Sequence, residues 1–152
     1  MKVLSLTQPW ATLICLGAKK IETRSWKTSY RGTLLIHASK SYPKWAKETA
    51  AEEPFCSALR IESKREGVGI WSYSYPDLPR GQIIGRCVLK DCIRTEDVAG
   101  ISFEEMEFGD YADGRFAWIL EDGQFLPQPI SAKGSLGLWE FTYSPVTELA
   151  GW

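Results

Sequence analysis

Gly17-Ala18-Lys19-Lys20-Ile21-Glu22-Thr23-Arg24-Ser25-Trp26 is the densest run of polar chemistry in the chain. Gly17 accepts the left-handed backbone and reads as the stop of a preceding helix. The residues after it alternate as a strand over 20–24. Lys20, Glu22 and Arg24 then share one face, and Ile21 and Thr23 the other, with Ile21 marking the apolar side. Glu22 and Arg24 are neighbours on their face, and Lys19 leaves the turn just before them, able to enter the same hollow. A carboxylate between two cations stays ionised. It can orient the lysine, accept a base amino group or take a proton. The same spacing also fits a plain surface ion-pair ladder, worth at most about 1 kcal/mol.

Upstream, Lys2–Leu6 reads as a strand. Pro9 suits the first position of a helix, and Trp10, Leu13, Ile14 and Leu16 follow at helical spacing. Downstream, 26–31 is a loop, and Gly32 opens a strand over 33–38. Pro43 begins a helix that runs through Ala51. Pro54 interrupts it, and a further helical stretch reaches about Arg65. The segment 67–81, which holds Trp71, Tyr73 and Tyr75, reads as a long surface loop. The strongest strand signal is 82–93. Thr95 is expected to cap a helical or turn segment. Strands over 115–121, 125–130 and 138–143 complete the chain, with Pro127 and Pro129 placing the middle one on a sheet edge. Short strands separated by turns predict an α+β, β-rich fold: a small, partly open β-barrel of about six strands with helices on its rim. Strict βα alternation is absent, which argues against a doubly wound parallel sheet.

The chain's 152 residues fit one domain spanning 1–152. No apolar run is long enough to cross a bilayer, and the N-terminus lacks the apolar core of a signal peptide, so a cytoplasmic location and no membrane partner are expected. The net charge of -1 hides an asymmetry. Residues 1–47 hold nine Lys and Arg against the single acid Glu22, whereas 96–122 hold nine acids against the single base Arg115. A basic N-terminal third suits phosphate or nucleic acid. Alternatively, the two regions pack together and their charges interleave. The cysteines at 15, 56, 87 and 92 lack zinc-site spacing and read as reduced thiols, so no metal is expected.

Trp10, Trp26, Tyr30 and Arg31 interleave aromatics with a cation around the polar run. Single-stranded bases and phosphates favour such a surface, with stacking contributing roughly 1–3 kcal/mol per base. Trp10 is either core or a pocket wall, and Trp26 either a wall or a plug of the barrel end. His37, the lone histidine, falls on the face of Leu35, opposite Leu34, Ile36 and Ala38. It reads as a hydrogen-bonded structural group or a site residue. Lys133, at the turn into the last strand, is expected to face the cleft, and Trp139 to be core. No nucleophile has a visible histidine partner, and phosphate-binding and dinucleotide glycine loops are absent, so no cofactor is expected.

At these residues the chain resembles the activating-signal-cointegrator homology (ASCH) domain, whose signature G-x-K-x-x-E-x-R is met by Gly17, Lys19, Glu22 and Arg24. Flanking blocks extend the likeness: Ser5 to Ala11, Ser25-Trp26, Tyr30-Arg31-Gly32, Ile36-His37-Ala38, Gly81 to Gly85, Asp91-Cys92, Phe116-Ala117-Trp118, and Lys133-Gly134 through Leu138-Trp139. It covers about 1–143, with insertions near 48–78 and 95–114. The resemblance implies a barrel similar to the PUA fold, an RNA-binding fold. It also implies a cleft between the barrel and the helix bearing Pro9 and Trp10, floored by the signature residues. Family members are linked to RNA or DNA binding, to coactivator roles and in some cases to catalysis. One branch hydrolyses 4-acetylcytidine with a lysine, a threonine and a glutamate, and another member resembles a ribonuclease. The branch's lysine matches Lys19, but its threonine falls at Glu22. Thr23 lies one position away on the opposite strand face, and Glu104, Glu105 and Glu107 offer no aligned match for its glutamate.

Three readings follow. In the first, a non-catalytic module binds RNA, single-stranded nucleic acid or a modified nucleotide or nucleoside. Arg24, Lys19, Lys20 and Arg31 contact phosphates, Glu22 a base edge, and Trp10 or Trp26 a base face. In the second, a small hydrolase uses Lys19 to polarise a carbonyl and Glu22 as general base. Lys19→Ala would then abolish turnover with little change in melting temperature. In the third, a protein-interaction adaptor uses 71–75 and the C-terminal Ala150-Gly151-Trp152.

Overall fold

A computed structural model of the chain describes residues 1–65 and 78–142, without the side chains of 61–65. The expected aromatic loop of Trp71, Tyr73 and Tyr75 and the C-terminal Ala150 to Trp152 lie outside the described residues.

The elements run β1 (Lys2–Leu6), α1 (Trp10–Cys15), β2 (Ile21–Arg24), β3 (Gly32–Ala38), α2 (Lys44–Ala51), α3 (Phe55–Arg65), β4 (Gln82–Arg94), α4 (Phe103–Glu107), β5 (Phe116–Ser131) and β6 (Leu138–Glu140). The strands form one sheet in the order β2-β5-β4-β3-β1-β6. β1 runs parallel to β3, and every other pairing is antiparallel. The sheet curls into an open half-barrel, the small β-rich α+β architecture expected from the sequence.

α1 is buried along Ala11 to Cys15. Ile14 and Cys15 join Leu4, Leu34, Ile36, Ile84, Leu89 and Trp118 of the sheet in one apolar cluster. Leu13 joins a second cluster with Ala46, Ala50, Phe55, Leu59 and Phe108. The helix therefore needs apolar residues all round. Pro9 sits at its N-cap, one position before the expected one. The fully buried Gln8 accepts from the Thr12 N–H at 3.0 Å and donates to the Pro79 carbonyl at 2.9 Å. Gly17 ends the helix at φ +79°, and the Lys19 N–H turns back onto the Leu13 carbonyl at 3.0 Å. That turn delivers Lys19 to the entrance of β2.

Three expectations are corrected. The runs 115–121 and 125–130 are one strand, β5. It stays continuous because bulges in its pairing with β4 absorb the irregular stretch between them. β2 covers β5 only over Phe116–Ile119, so Pro127 and Pro129 still face no second neighbour. Thr95 does not cap a helix. Its hydroxyl donates to the Ala112 carbonyl at 2.7 Å, and Ser102 caps α4 by accepting from the Glu105 N–H at 3.1 Å. Ile21 does not mark the face turned toward the main core. Glu22 pairs with Trp118 and Arg24 with Phe116, both members of the α1-facing cluster. Cross-strand partners share a face, so the charged side of β2 looks into the half-barrel.

The four cysteines are unpaired. Burial pushes the Cys87 thiol up to about 12 and the Cys15 thiol well above its ordinary value. Among the described residues no helix is long and apolar enough to cross a membrane, and no cluster of three metal-ligating side chains forms.

Candidate functional site

A cleft of about 550 Å³ opens between β2, the start of α1, the start of α2 and the segment 107–115. Two residues of the signature, Glu22 and Arg24, line it. Lys19 lies beneath it with no exposed side chain. The ammonium donates to the Ile21 carbonyl at 2.6 Å and the Phe108 carbonyl at 3.1 Å, and sits 3.5 Å from Glu22 Oε1. Glu22 Oε2 accepts from Arg24 Nε at 3.0 Å, and Arg24 Nη2 donates to the Ser5 carbonyl at 3.2 Å. The surface ion-pair ladder is thus excluded for Lys19 and Glu22, which are both buried.

The walls are aromatic. Trp10 lines the cleft and donates its indole N–H to the Phe108 carbonyl at 2.9 Å. Trp45 lines the cleft, meets Trp10 at a centroid distance of 5.9 Å and keeps 59% of its surface exposed. Trp26 lines the cleft and stands edge-on to the buried Trp118 at 4.7 Å.

The fourth wall follows α4. Glu105 is buried, and its carboxylate accepts from the N–H groups of Lys20 at 3.0 Å and Ile21 at 2.9 Å. Burial pushes this carboxyl above its ordinary value, against the lowering effect of those bonds and of Lys19. Next along the chain, the Asp110 N–H donates to Thr23 Oγ1 at 3.0 Å. Arg115 Nε donates to the Asp110 carbonyl at 3.1 Å, and its Nη2 to the Thr23 carbonyl at 3.2 Å. The acidic segment therefore folds onto the basic one. Arg24 and Arg115 line the cleft together with Glu22, Glu107 and Asp110, so the charges interleave there.

Of the residues selected from sequence, Trp10, Glu22, Arg24 and Trp26 line the cleft. Pro9 stands behind it at the α1 N-cap. Lys20 is exposed beside β2 but outside the cleft, because its Cα lies at the turn where Glu105 clamps the backbone. Tyr30 is turned into the fold, its hydroxyl donating to the Thr33 carbonyl, and Arg31 reaches Asp91 at 3.4 Å. His37 projects to the other face of the sheet. It is bonded to Ser5 Oγ at 2.9 Å and the Ala132 carbonyl at 2.8 Å, with Trp139 edge-on at 5.6 Å. Burial lowers its pKa. Lys133 is exposed next to Ala132, away from the cleft, which corrects its expected position. Sequence reasoning missed Trp45 and Arg115. Trp45 follows the helix-opening Pro43 by two residues, and Arg115 is the lone base of the acidic segment, the signal that could have singled it out.

The family model described as the ASCH domain matches residues 4–125. The chain belongs to the ASCH domain family. Every cleft residue falls inside this ASCH match. Among curated proteins, activating signal cointegrator 1 of Mus musculus is 29% identical over 140 residues, covering 90% of this chain and 22% of that protein. The Homo sapiens protein of the same name is 28% identical over 141 residues, with the same coverage. This ASCH chain thus spans about a fifth of the length of the curated relatives it matches. A crystal structure of a variant ASCH protein from Zymomonas mobilis aligns with TM-score 0.45 and 16% identity, covering 86% of this chain and 74% of that one.

Proposed function

We propose that this ASCH domain binds RNA or another single-stranded nucleic acid and takes one unstacked base into the cleft. The observation that carries the reading is the convergence of three tryptophans, Trp10, Trp26 and Trp45, with the Glu22–Arg24 pair around one cavity of about 550 Å³. That volume is in the range of small-ligand sites. A base face stacks on the exposed ring of Trp45, and the outer edge of Glu22, 11% exposed, accepts from a base amino group. Three exposed lysines are chain neighbours of lining residues: Lys27 after Trp26, Lys40 after Ser39 and Lys44 before Trp45. By chain adjacency they are the cations proposed to meet a backbone near the mouth, Lys44 also pairing with Glu48 at 3.8 Å.

The hydrolase reading gains less support. The Lys19 ammonium is enclosed and already bonded to two carbonyls, so it does not reach a substrate carbonyl in this geometry. The test is fluorescence anisotropy with a labelled single-stranded RNA of eight nucleotides. Arg24, Arg115 and the three rim lysines predict a log–log salt slope as steep as about −3.5, from roughly −0.7 per phosphate contact. Trp45→Ala should weaken binding about tenfold or more without lowering the melting temperature. Salt-independent binding, or full affinity without Trp45, would overturn the proposal.

A further inference from the structure

We propose that the cleft seats one phosphate group of a nucleotide ligand between Arg24 and Arg115. The inference rests on the nucleic-acid reading above and names a subsite within it. β2 and β5 pair Arg24 with Phe116, and Arg115 immediately precedes Phe116. Both guanidiniums therefore arise at the same end of the same strand pair, and both line the cleft.

Each is held from one edge. Arg24 uses Nε on Glu22 and Nη2 on the Ser5 carbonyl. Arg115 uses Nε on the Asp110 carbonyl and Nη2 on the Thr23 carbonyl. Among the described residues, Nη1 of each has no partner. Two pre-oriented guanidiniums with free donors suit a tetrahedral oxyanion, since little side-chain freedom remains to be lost on binding. Thr7, Ser25 and Ser39 line the same cavity, and among the described residues their hydroxyls lack partners.

The charge balance explains why Arg24 is not spent on Glu22. Lys19, buried 3.5 Å from Glu22 Oε1, supplies a second positive charge to that carboxylate. The three groups together therefore keep one net positive charge. Asp110 Oδ2 lies 3.6 Å from Arg115 Nε and offsets that cation in part, and Glu107 is exposed at the rim. A terminal phosphate, with about −1.5 to −2 charge at neutral pH, gains more from this pair than an internal phosphodiester does.

The test uses the intact chain and tryptophan fluorescence. The probes are uridine, adenosine, their 5′- and 3′-monophosphates, inorganic phosphate and the eight-nucleotide RNA. At least one monophosphate should bind tenfold or more tightly than its nucleoside. Arg24→Gln and Arg115→Gln should each remove most of that difference between monophosphate and nucleoside. Arg115→Lys, which keeps the charge without the fork, should recover part of it. Equal binding of nucleosides and monophosphates by the unmodified protein overturns the subsite, with no variant needed. If RNA binds while the monophosphates gain nothing, the subsite is wrong and the nucleic-acid reading stands. If RNA, nucleosides and monophosphates all fail to bind, both are wrong.

Discussion

Replacing Lys19 by methionine separates an architectural lysine from a catalytic one. Methionine keeps the unbranched shape and most of the volume, so the change isolates the ammonium. Lys19 has no exposed side-chain surface, and its Nζ serves the Ile21 carbonyl, the Phe108 carbonyl and Glu22 Oε1. Its loss leaves two acceptors without this donor and a buried carboxylate with Arg24 as its remaining ion-pair partner. Removing one partner of a buried ion pair costs about 3–5 kcal/mol. At about 2–4 °C per kcal/mol for a chain of this size, the melting temperature should fall by roughly 6–20 °C. Urea denaturation should show the same loss as a lower midpoint at unchanged slope. Lys19→Met with Glu22→Gln should recover part of the loss, because the carboxylate is no longer left charged. A Lys19→Met protein melting within about 2 °C of the parent would refute the keystone role and return Lys19 to the candidate catalysts.

Glu105→Gln tests the clamp on β2. Burial raises the Glu105 carboxyl in the folded state. The folded protein then holds a proton that the unfolded chain releases, and stability falls as pH rises from about 4.5 through the raised value. The glutamine variant keeps one carbonyl acceptor and should lose that slope in urea midpoints measured from pH 4 to 7; an unchanged slope counts against it. His37 has the opposite sign. Its folded pKa is lowered, so its contribution is present above the ordinary value near 6.5 and is lost as pH falls through the folded one. His37→Asn should flatten that acid-side loss in the same titration. Gly123→Ala drives a Cβ into the Ile14 carbonyl oxygen, and Gly85→Ala drives one into both the Gln124 carbonyl oxygen and Cys15 Sγ. Both should lower the melting temperature by more than about 10 °C or yield insoluble protein, and a normal melt for either would contradict the close approach of β4 and β5 to α1.

Most of the fold is legible because it follows local rules. Gly17 ends α1, Pro43 and Pro54 bracket α2, and the Ile- and Val-rich run announces β4. What sequence misassigns is decided at long range. Alternation separates Ile21 from Glu22 correctly but cannot tell which face meets the core. Here a buried ion cluster takes the position an apolar side chain would otherwise fill: Lys19 and Arg24 flank Glu22 in one short run, and the Ser5 carbonyl of β1 holds Arg24 from the neighbouring segment. His37 shows the converse. Alternation places it on the face of Leu35, and Leu35 belongs to the opposite apolar cluster from Leu34 and Ile36. Ser5 gives its carbonyl to Arg24 and its side-chain oxygen to His37 Nδ1, linking the two faces through one residue.

The geometry divides the signature by task. Gly17 turns the chain, Lys19 ties β2 to the α4 segment, and Glu22 and Arg24 line the cleft. The Phe108 carbonyl joins the first two tasks to the walls, because it accepts from both Lys19 Nζ and the Trp10 indole. Movement of the 102–115 segment would therefore shift Trp10, Glu22 and Arg115 together. The signature supplies part of the floor and holds the wall, while Trp45 and Arg115, the side chains proposed to meet a ligand's face and phosphate, lie outside it. Selectivity among nucleotides should accordingly change more on substitution of Trp45 or Arg115 than of Lys19, whose loss lowers stability before it alters preference.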